Sequence, residues 1–167
     1  MNKLVSYLLC VAAVFVFFTR VQAAQVEVKW SNPDKYSDIF PGEGHRKHFK
    51  ERTFKSFEKH FAKLANSLPE NQKLVLDITN VDLAGDVHFG GGIKRIRVVK
   101  DIFFPRLEFS YQLLAADKSV ITTQEVSLKD MSFLMHGRSR YSSRSLSYEK
   151  EMLDRWFKKT FAEQIVK

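Results

Sequence analysis

Cysteine is nearly absent from this chain: its single cysteine, Cys10, lies in an apolar segment near the N-terminus. That segment, residues 4–18, follows a short basic end, and Val21 and Ala23 then satisfy the small-residue rule for signal cleavage. The pattern predicts a secretory signal peptide over residues 1–23. Once it is removed, no cysteine remains, which excludes disulfide bonds, thiolate catalysis and cysteine-ligated metals from the mature chain.

A long hydrophobic run is missing as well. Residues 4–18 are fewer than the roughly 20 residues that a helix needs to cross a bilayer. Leu9 stands before Cys10, where a lipidation signal has a small residue. We therefore expect neither a permanent membrane span nor a lipid anchor after cleavage, and we expect the mature chain outside the cytoplasm.

Extreme charge is absent too. The formal net charge of +8 falls to +6 when Lys3 and Arg20 leave with the signal peptide, and 144 of the 167 residues remain. A chain of this length typically forms one domain that buries roughly two-thirds of its unfolded surface, so we predict a single domain over residues 24–167.

The basic excess is compatible with an envelope protein or an anionic envelope component as partner. Nucleic acid is not expected as a partner of an exported chain.

Hydrophobic periodicity predicts both strands and helices in the mature chain. Alternation of apolar and polar residues predicts strands over residues 26–30, 73–83, 93–102, 107–113 and 120–128. Apolar residues at steps of three and four predict amphipathic helices over residues 45–68 and 147–166.

The order of these elements predicts an α+β fold. We expect a mainly antiparallel sheet of about four or five strands with both helices packed on one face. For residues 93–102 a short helix is the alternative to a strand. The glycine-rich residues 84–92 are expected to form a loop, and residues 129–145 an irregular stretch.

Asp82, Asp86 and His88 form the first candidate site. They lie at and just after the end of a predicted strand and lead into the glycines at 90–92. Carboxylate and imidazole groups on such a loop suit zinc or a similar divalent metal, and a small metal-dependent hydrolase is the corresponding function. The spacing matches no established metal motif. Aspartate next to glycine is also ordinary turn chemistry, so a structural loop is the alternative.

Arg138, Arg140 and Arg144, interleaved with serines and Tyr141, form the second candidate site. Guanidinium groups and hydroxyls bind phosphates and carboxylates. This basic stretch before the last helix therefore predicts an anionic ligand or partner. A solvated loop is the alternative, because surface loops are commonly polar.

Signatures of catalysis are missing from the sequence. No serine lies in a Gly-x-Ser-x-Gly elbow, and residues 90–95 lack the glycine and lysine spacing of a phosphate-binding loop. We therefore favour a non-catalytic binding or accessory module over an enzyme, and we predict no cofactor other than the divalent metal considered above. Self-association through an exposed sheet surface is a further alternative.

Five segments of the chain together carry a family pattern: residues 26–30, 54–65, 81–88, 97–107 and 148–157. They resemble a family of exported bacterial proteins, the domain of unknown function 3016, across nearly the whole mature chain. The resemblance implies a periplasmic or secreted protein of Gram-negative bacteria with a single domain. It implies no activity, cofactor or site residue, so both candidate sites rest on residue chemistry alone.

Overall fold

The first strand, the first helix and the second strand form a parallel β–α–β unit. The computed structural model describes residues 25–90, 94–136 and 145–165. Within these ranges, β1 (Gln25–Trp30) pairs in parallel with β2 (Lys73–Asp82). The connecting helix α1 (Arg46–Ala65) provides the length of chain that a parallel connection needs.

Helix α1 is determined by its apolar face and by the proline that follows it. Phe57, Phe61 and Ala65 lie at steps of four and are fully buried, as the sequence periodicity predicts. The helix ends at Ala65 rather than at residue 68. The N–H of Asn66 closes the last turn. Pro69 then disfavours helical backbone at the residue before it.

A short antiparallel hairpin follows β2 and forms a second sheet. β3 (Asp86–Phe89) pairs with β4 (Arg95–Val98). The prediction of a loop over residues 84–92 is therefore wrong for Asp86–Phe89. Four residues are too few to establish a period of two, and the partner strand lies beyond the glycine segment. The strand predicted over residues 93–102 is confirmed, at the reduced length of β4.

β5 (Arg106–Leu114) and β6 (Val120–Lys129) complete the main sheet, whose order is β1-β2-β5-β6. Both strands are confirmed. β5 runs antiparallel to β2 and to β6, so the main sheet is mixed, with its one parallel pair at the β1 edge. In the turn between β5 and β6, the Asp117 carboxylate accepts hydrogen bonds from the N–H and the hydroxyl of Ser119.

Helix α2 (Ser147–Thr160) packs on the same face of the main sheet as α1. Phe109 of β5 contacts both helices, since its ring centroid lies 6.4 Å from that of Phe61 and 4.9 Å from that of Trp156. The predicted α+β fold with two helices on one face is confirmed, although α2 ends at Thr160 rather than at residue 166. Within the described ranges, no helix is both long and apolar enough to cross a membrane.

The other face of the main sheet is polar. Lys29 Nζ lies 3.5 Å from Asp77 Oδ2, and Lys73 Nζ lies 2.6 Å from Glu27 Oε2. Ion pairs between neighbouring strands are typical of a sheet face that stays in solvent. The core therefore lies between the sheet and the two helices.

Candidate functional site

The residues of the first candidate site have different partners in the structure. Asp86 and His88 lie on the same face of β3, and His88 Nε2 is 3.3 Å from Asp86 Oδ2. Asp82 Oδ2, at the end of β2, is 3.8 Å from the Nε of Arg106. Burial raises the pKa of the Asp82 carboxyl, and the Arg106 guanidinium opposes this rise. The structure thus pairs two of the three residues with each other and the third with a cation.

This arrangement does not by itself form a metal centre. In residues 25–90, 94–136 and 145–165, no group of three or more histidine, cysteine, aspartate or glutamate side chains is positioned to hold a metal ion. Metal binding and hydrolysis by Asp82, Asp86 and His88 stay a prediction.

The second candidate site lies outside the described residues. Arg138, Arg140, Tyr141 and Arg144 all fall between residues 136 and 145. An anionic ligand at these residues stays a prediction as well.

Arg97 of β4 attaches the hairpin to the rest of the chain. Its guanidinium forms a bidentate ion pair with Asp38, with an Nη1–Oδ2 distance of 2.7 Å and an Nη2–Oδ1 distance of 3.1 Å. The same group donates to the carbonyl oxygens of Phe40 and Gly85, each at 2.8 Å. Buried charges need this combination of a counter-ion and further hydrogen bonds. Arg97 therefore joins β4 to two other segments, residues 38–40 and the turn at Gly85, through one side chain.

Two glycines allow β4 to approach the loops beside it. A Cβ on Gly42 would stand 3.0 Å from the carbonyl oxygen of Arg95. Gly85 has a φ of +82°, which glycine tolerates best, and a Cβ there would stand 2.8 Å from the carbonyl oxygen of Val98. β4 is therefore held at both of its ends by close backbone packing as well as by Arg97.

Glu149 connects the first turn of α2 to the segment that follows β2. Its side chain is 3% exposed, and its Oε1 accepts a hydrogen bond of 2.8 Å from the N–H of Ala84. Burial raises the pKa of the Glu149 carboxyl, while the Ala84 N–H and the nearby Arg97 guanidinium oppose the rise. Glu149 is thus a buried acid that supports the hairpin base from the helix side.

Replacing Glu149 with glutamine is expected to stabilise the protein at alkaline pH. A carboxyl with a raised pKa binds its proton more tightly in the folded protein than in the unfolded chain. Its contribution to stability therefore falls as the pH rises from the ordinary pKa of 4.5 through the raised value. Glutamine keeps an oxygen for the Ala84 N–H and carries no charge. The gain in the free energy of unfolding from Glu149→Gln should be largest at high pH and should disappear at acid pH. Urea unfolding over a pH series measures this gain.

The matched control for this comparison is Glu70→Gln, which alters an exposed carboxyl on the surface. We expect it to change the free energy of unfolding by less than about 0.5 kcal/mol throughout the pH series. A gain at Glu149 that does not depend on pH would show that burial of charge is not its cause.

A groove of about 1030 Å³ lies between β6 and α2. Val126 and Leu128 of β6 are half-buried in its lining, and Trp156 of α2 is almost fully buried. Arg155 and Lys159, which are exposed on the adjacent side of α2, line the same groove. The groove thus combines apolar surface with cations along one side.

Asp130 directly follows β6, and its carboxylate contacts two side chains of the groove, those of Arg155 and His136. Its carboxylate is 8% exposed. It accepts a hydrogen bond from the guanidinium of Arg155 and lies 3.0 Å from Nε2 of His136. Because both oxygens of Asp130 have partners, its charge is locally neutralised.

Exposed apolar side chains follow directly after Asp130. Met131, Leu134 and Met135 are 64%, 46% and 86% exposed, and the last two lie in the short 3-10 turn Phe133–Met135. Methionine side chains adapt to differently shaped surfaces, and clusters of exposed apolar residues mark interaction sites. This end of the groove therefore offers apolar contact area.

β6 is an edge strand of the main sheet as the described residues form it. It pairs with β5 on one side, and in the part of the chain that the structure describes, no strand lies on its other side. The outward N–H and C=O groups of an edge strand can pair with a strand from another chain.

Comparison with known protein families gives a match over most of this fold. The family described as Protein of unknown function (DUF3016) matches residues 24–159. The chain belongs to the DUF3016 family. No curated protein and no solved structure matches it. The DUF3016 match starts directly before β1 and ends at Lys159, so it includes the hairpin and nearly the whole groove.

Two features of this DUF3016 protein were not identified from its sequence. Arg97 and Asp38 are 59 residues apart, and no local spacing connects them. One sequence feature could have identified Arg97: it is a cation between two apolar residues, Ile96 and Val98, in an alternating segment. The groove gave no signal, because it exists only where an edge strand and a helix come together.

Proposed function

We propose that this DUF3016 protein is an exported, non-catalytic binding module that captures an extended acidic segment of a cell-envelope protein along β6. The observation that carries the proposal is the open edge of β6 beside a groove bordered by cations. The predicted signal peptide over residues 1–23 supports the setting, which is the periplasm or the exterior of a Gram-negative cell.

Backbone pairing provides the affinity in this mechanism. An added strand forms with β6 the same kind of hydrogen bonds that β5 forms on its other side. β6 has 10 residues, which is more than the length of a typical strand of about 5–6 residues. Alternate side chains of the added strand would lie over Val126 and Leu128, and the intervening ones would lie on the polar side of the sheet.

The charges of the groove select an acidic partner. Lys129, Arg155 and Lys159 line it, against the acids Glu125 and Asp130. Asp130 already has Arg155 and His136 as partners. Among the described residues of the groove, this leaves Lys159 on the α2 side and Lys129 on the polar side of the sheet for carboxylates from outside. Complementary charge of this kind speeds association and sets specificity.

A second copy of the chain is a poorer occupant of the groove. Pairing of β6 with β6 would add a second Lys159 to the same interface, and like charges across an interface oppose association. The arginines predicted to bind anions, Arg138, Arg140 and Arg144, have the same ligand preference as the groove. They stay a separate prediction.

The proposal predicts that Lys159→Glu with Lys129→Glu weakens binding of an acidic peptide about tenfold, equivalent to ~1.4 kcal/mol. The probe is a fluorescent peptide in which glutamate alternates with valine or threonine, and the measurement is fluorescence anisotropy with protein expressed from residue 24. Binding should weaken at high salt because exposed charges are screened.

Two controls separate strand addition from simple charge attraction. Lys158→Glu alters the neighbouring exposed cation of α2, which does not line the groove, and it should leave affinity nearly unchanged. A peptide with the same charges but with every backbone nitrogen methylated cannot donate to β6 from either of its edges and should not bind. Equal binding of the methylated peptide, or no binding of the acidic peptide at all, would refute strand addition.

A further inference from the structure

A second cationic surface lies beside the β3–β4 hairpin, and it shares no residue with the groove. A cavity of about 660 Å³ is lined by Arg46, Lys94 and Arg95, with Glu43 as its one acid. The Arg46 guanidinium lies 4.1 Å from the ring centroid of Phe40, while Lys94 Nζ is 3.9 Å from Glu43 Oε1. Three cations against one acid favour an anionic ligand.

Exposed apolar side chains occupy both faces of the same hairpin. Phe89 lies opposite Arg95, and His88 lies opposite Ile96. Directly opposed residues share a face and neighbouring residues alternate, so Phe89 and Ile96 are on opposite faces. Phe89 is 70% exposed and Ile96 is 50% exposed. The hairpin is therefore apolar on two sides close to its cations.

From this combination we infer that the hairpin is a membrane-surface site that binds anionic phospholipid bilayers. Lys94, Arg95 and Arg46 meet the headgroup phosphates, and Phe89 and Ile96 enter the boundary between headgroups and acyl chains. Interfacial segments of proteins combine cations and apolar side chains in this way.

The two-sided exposure decides between a bilayer and a protein as the occupant. A protein surface would cover one face of a two-stranded sheet and leave the apolar residue on the other face in water. A lipid surface that meets the turn end of the hairpin can contact both residues. The Arg97 ion pair and the close packing at Gly42 hold β4 in place, so contact with a bilayer needs no refolding.

The test is co-sedimentation of the protein, expressed from residue 24, with phosphatidylcholine vesicles that contain or lack phosphatidylglycerol. Every described element is present in this protein because all of them lie after residue 24. We expect binding only with phosphatidylglycerol. Phe89→Ser with Ile96→Ser, and separately Lys94→Ser with Arg95→Ser, should each lower the partition coefficient about tenfold.

The matched control is Ile121→Ser, which removes an apolar side chain of similar exposure, 45%, from β6. It should bind vesicles like the wild type. Phe89→Trp should move its fluorescence to shorter wavelengths on addition of the anionic vesicles, and Ile121→Trp should not. Each variant is compared with the wild type in thermal unfolding, since exposed positions should leave the fold intact.

Three results would overturn the inference. The first is equal binding to vesicles without phosphatidylglycerol. The second is full binding by the serine variant of Phe89 and Ile96, together with release from vesicles by inorganic phosphate, which would leave a simple anion site. The third is an equal loss in the Ile121→Ser control. The first two results concern the hairpin alone, and the acidic peptide tests the groove of β6 separately, so the two proposals can fail independently.

Discussion

Replacement of Arg97 by methionine is expected to lower the free energy of unfolding by about 3–5 kcal/mol. Methionine keeps the apolar stem but leaves the Asp38 carboxylate, whose side chain is 14% exposed, without its bidentate partner. It also removes the donors to the carbonyl oxygens of Phe40 and Gly85. A loss of this size is a large part of the stability of a typical domain. Urea unfolding followed by circular dichroism measures it.

Arg95→Met is the control for this prediction because Arg95 lies in the same strand and is exposed. We expect it to change stability by less than about 0.5 kcal/mol. Arg97→Lys should recover only part of the loss, since an ammonium group lacks the planar fork that binds both oxygens of Asp38. Similar stability of the Arg97 and Arg95 methionine variants would mean that the hairpin base depends on backbone packing alone.

Trp156→Ala is expected to cost about 3–5 kcal/mol, the usual range for truncation of a buried aromatic side chain. The Trp156 ring lies within aromatic contact of two residues of β5 and of the residue that follows α2. Its centroid is 4.9 Å from Phe109, 5.6 Å from Tyr111 and 5.8 Å from Phe161. Truncation would leave a cavity under the groove of β6. The thermal midpoint should fall by roughly 2–4 °C for each kcal/mol lost.

The other tryptophan provides a comparison for this variant. Trp30 stacks on Phe54 at 3.9 Å but is only half-buried at the β1 edge. Trp30→Ala should therefore cost less than Trp156→Ala. Trp156→Phe, which retains most of the buried area, should be stable enough to test peptide binding if the alanine variant does not fold. A stability loss at Trp156 no larger than the loss at Trp30 would place the centre of the core elsewhere.

The main elements could be predicted from the sequence because each one buries a long periodic face. Phe57 and Phe61 establish the helical period of α1, and alternation over residues 107–113 establishes β5. The hairpin strand Asp86–Phe89 could not be predicted, since four residues do not establish a period. The parallel pairing of β1 with β2 was also not predicted, because periodicity carries no information about strand direction.

The candidate sites were less predictable than the fold. The sequence grouped Asp82 with Asp86 and His88 because they are close along the chain, yet the register of β2 and β5 places Arg106 beside Asp82. The hairpin cavity joins Arg46 of α1 to Lys94 and Arg95 of the β4 region. Such groups depend on tertiary contacts between distant segments, which no local pattern encodes.

The two edge strands of the main sheet differ in length, and this difference should limit polymerisation of the protein through its sheet edges. A sheet with two open edges can grow head to tail into a fibre if the edge of one copy accepts the opposite edge of the next. Here β6 has 10 residues and β1 has 6. The short edge also carries the charged residues Glu27 and Lys29, a common protection against strand stacking. In the part of the chain that the structure describes, the long edge strand β6 therefore suits an added strand, and the short edge strand β1 is less suited to filament growth.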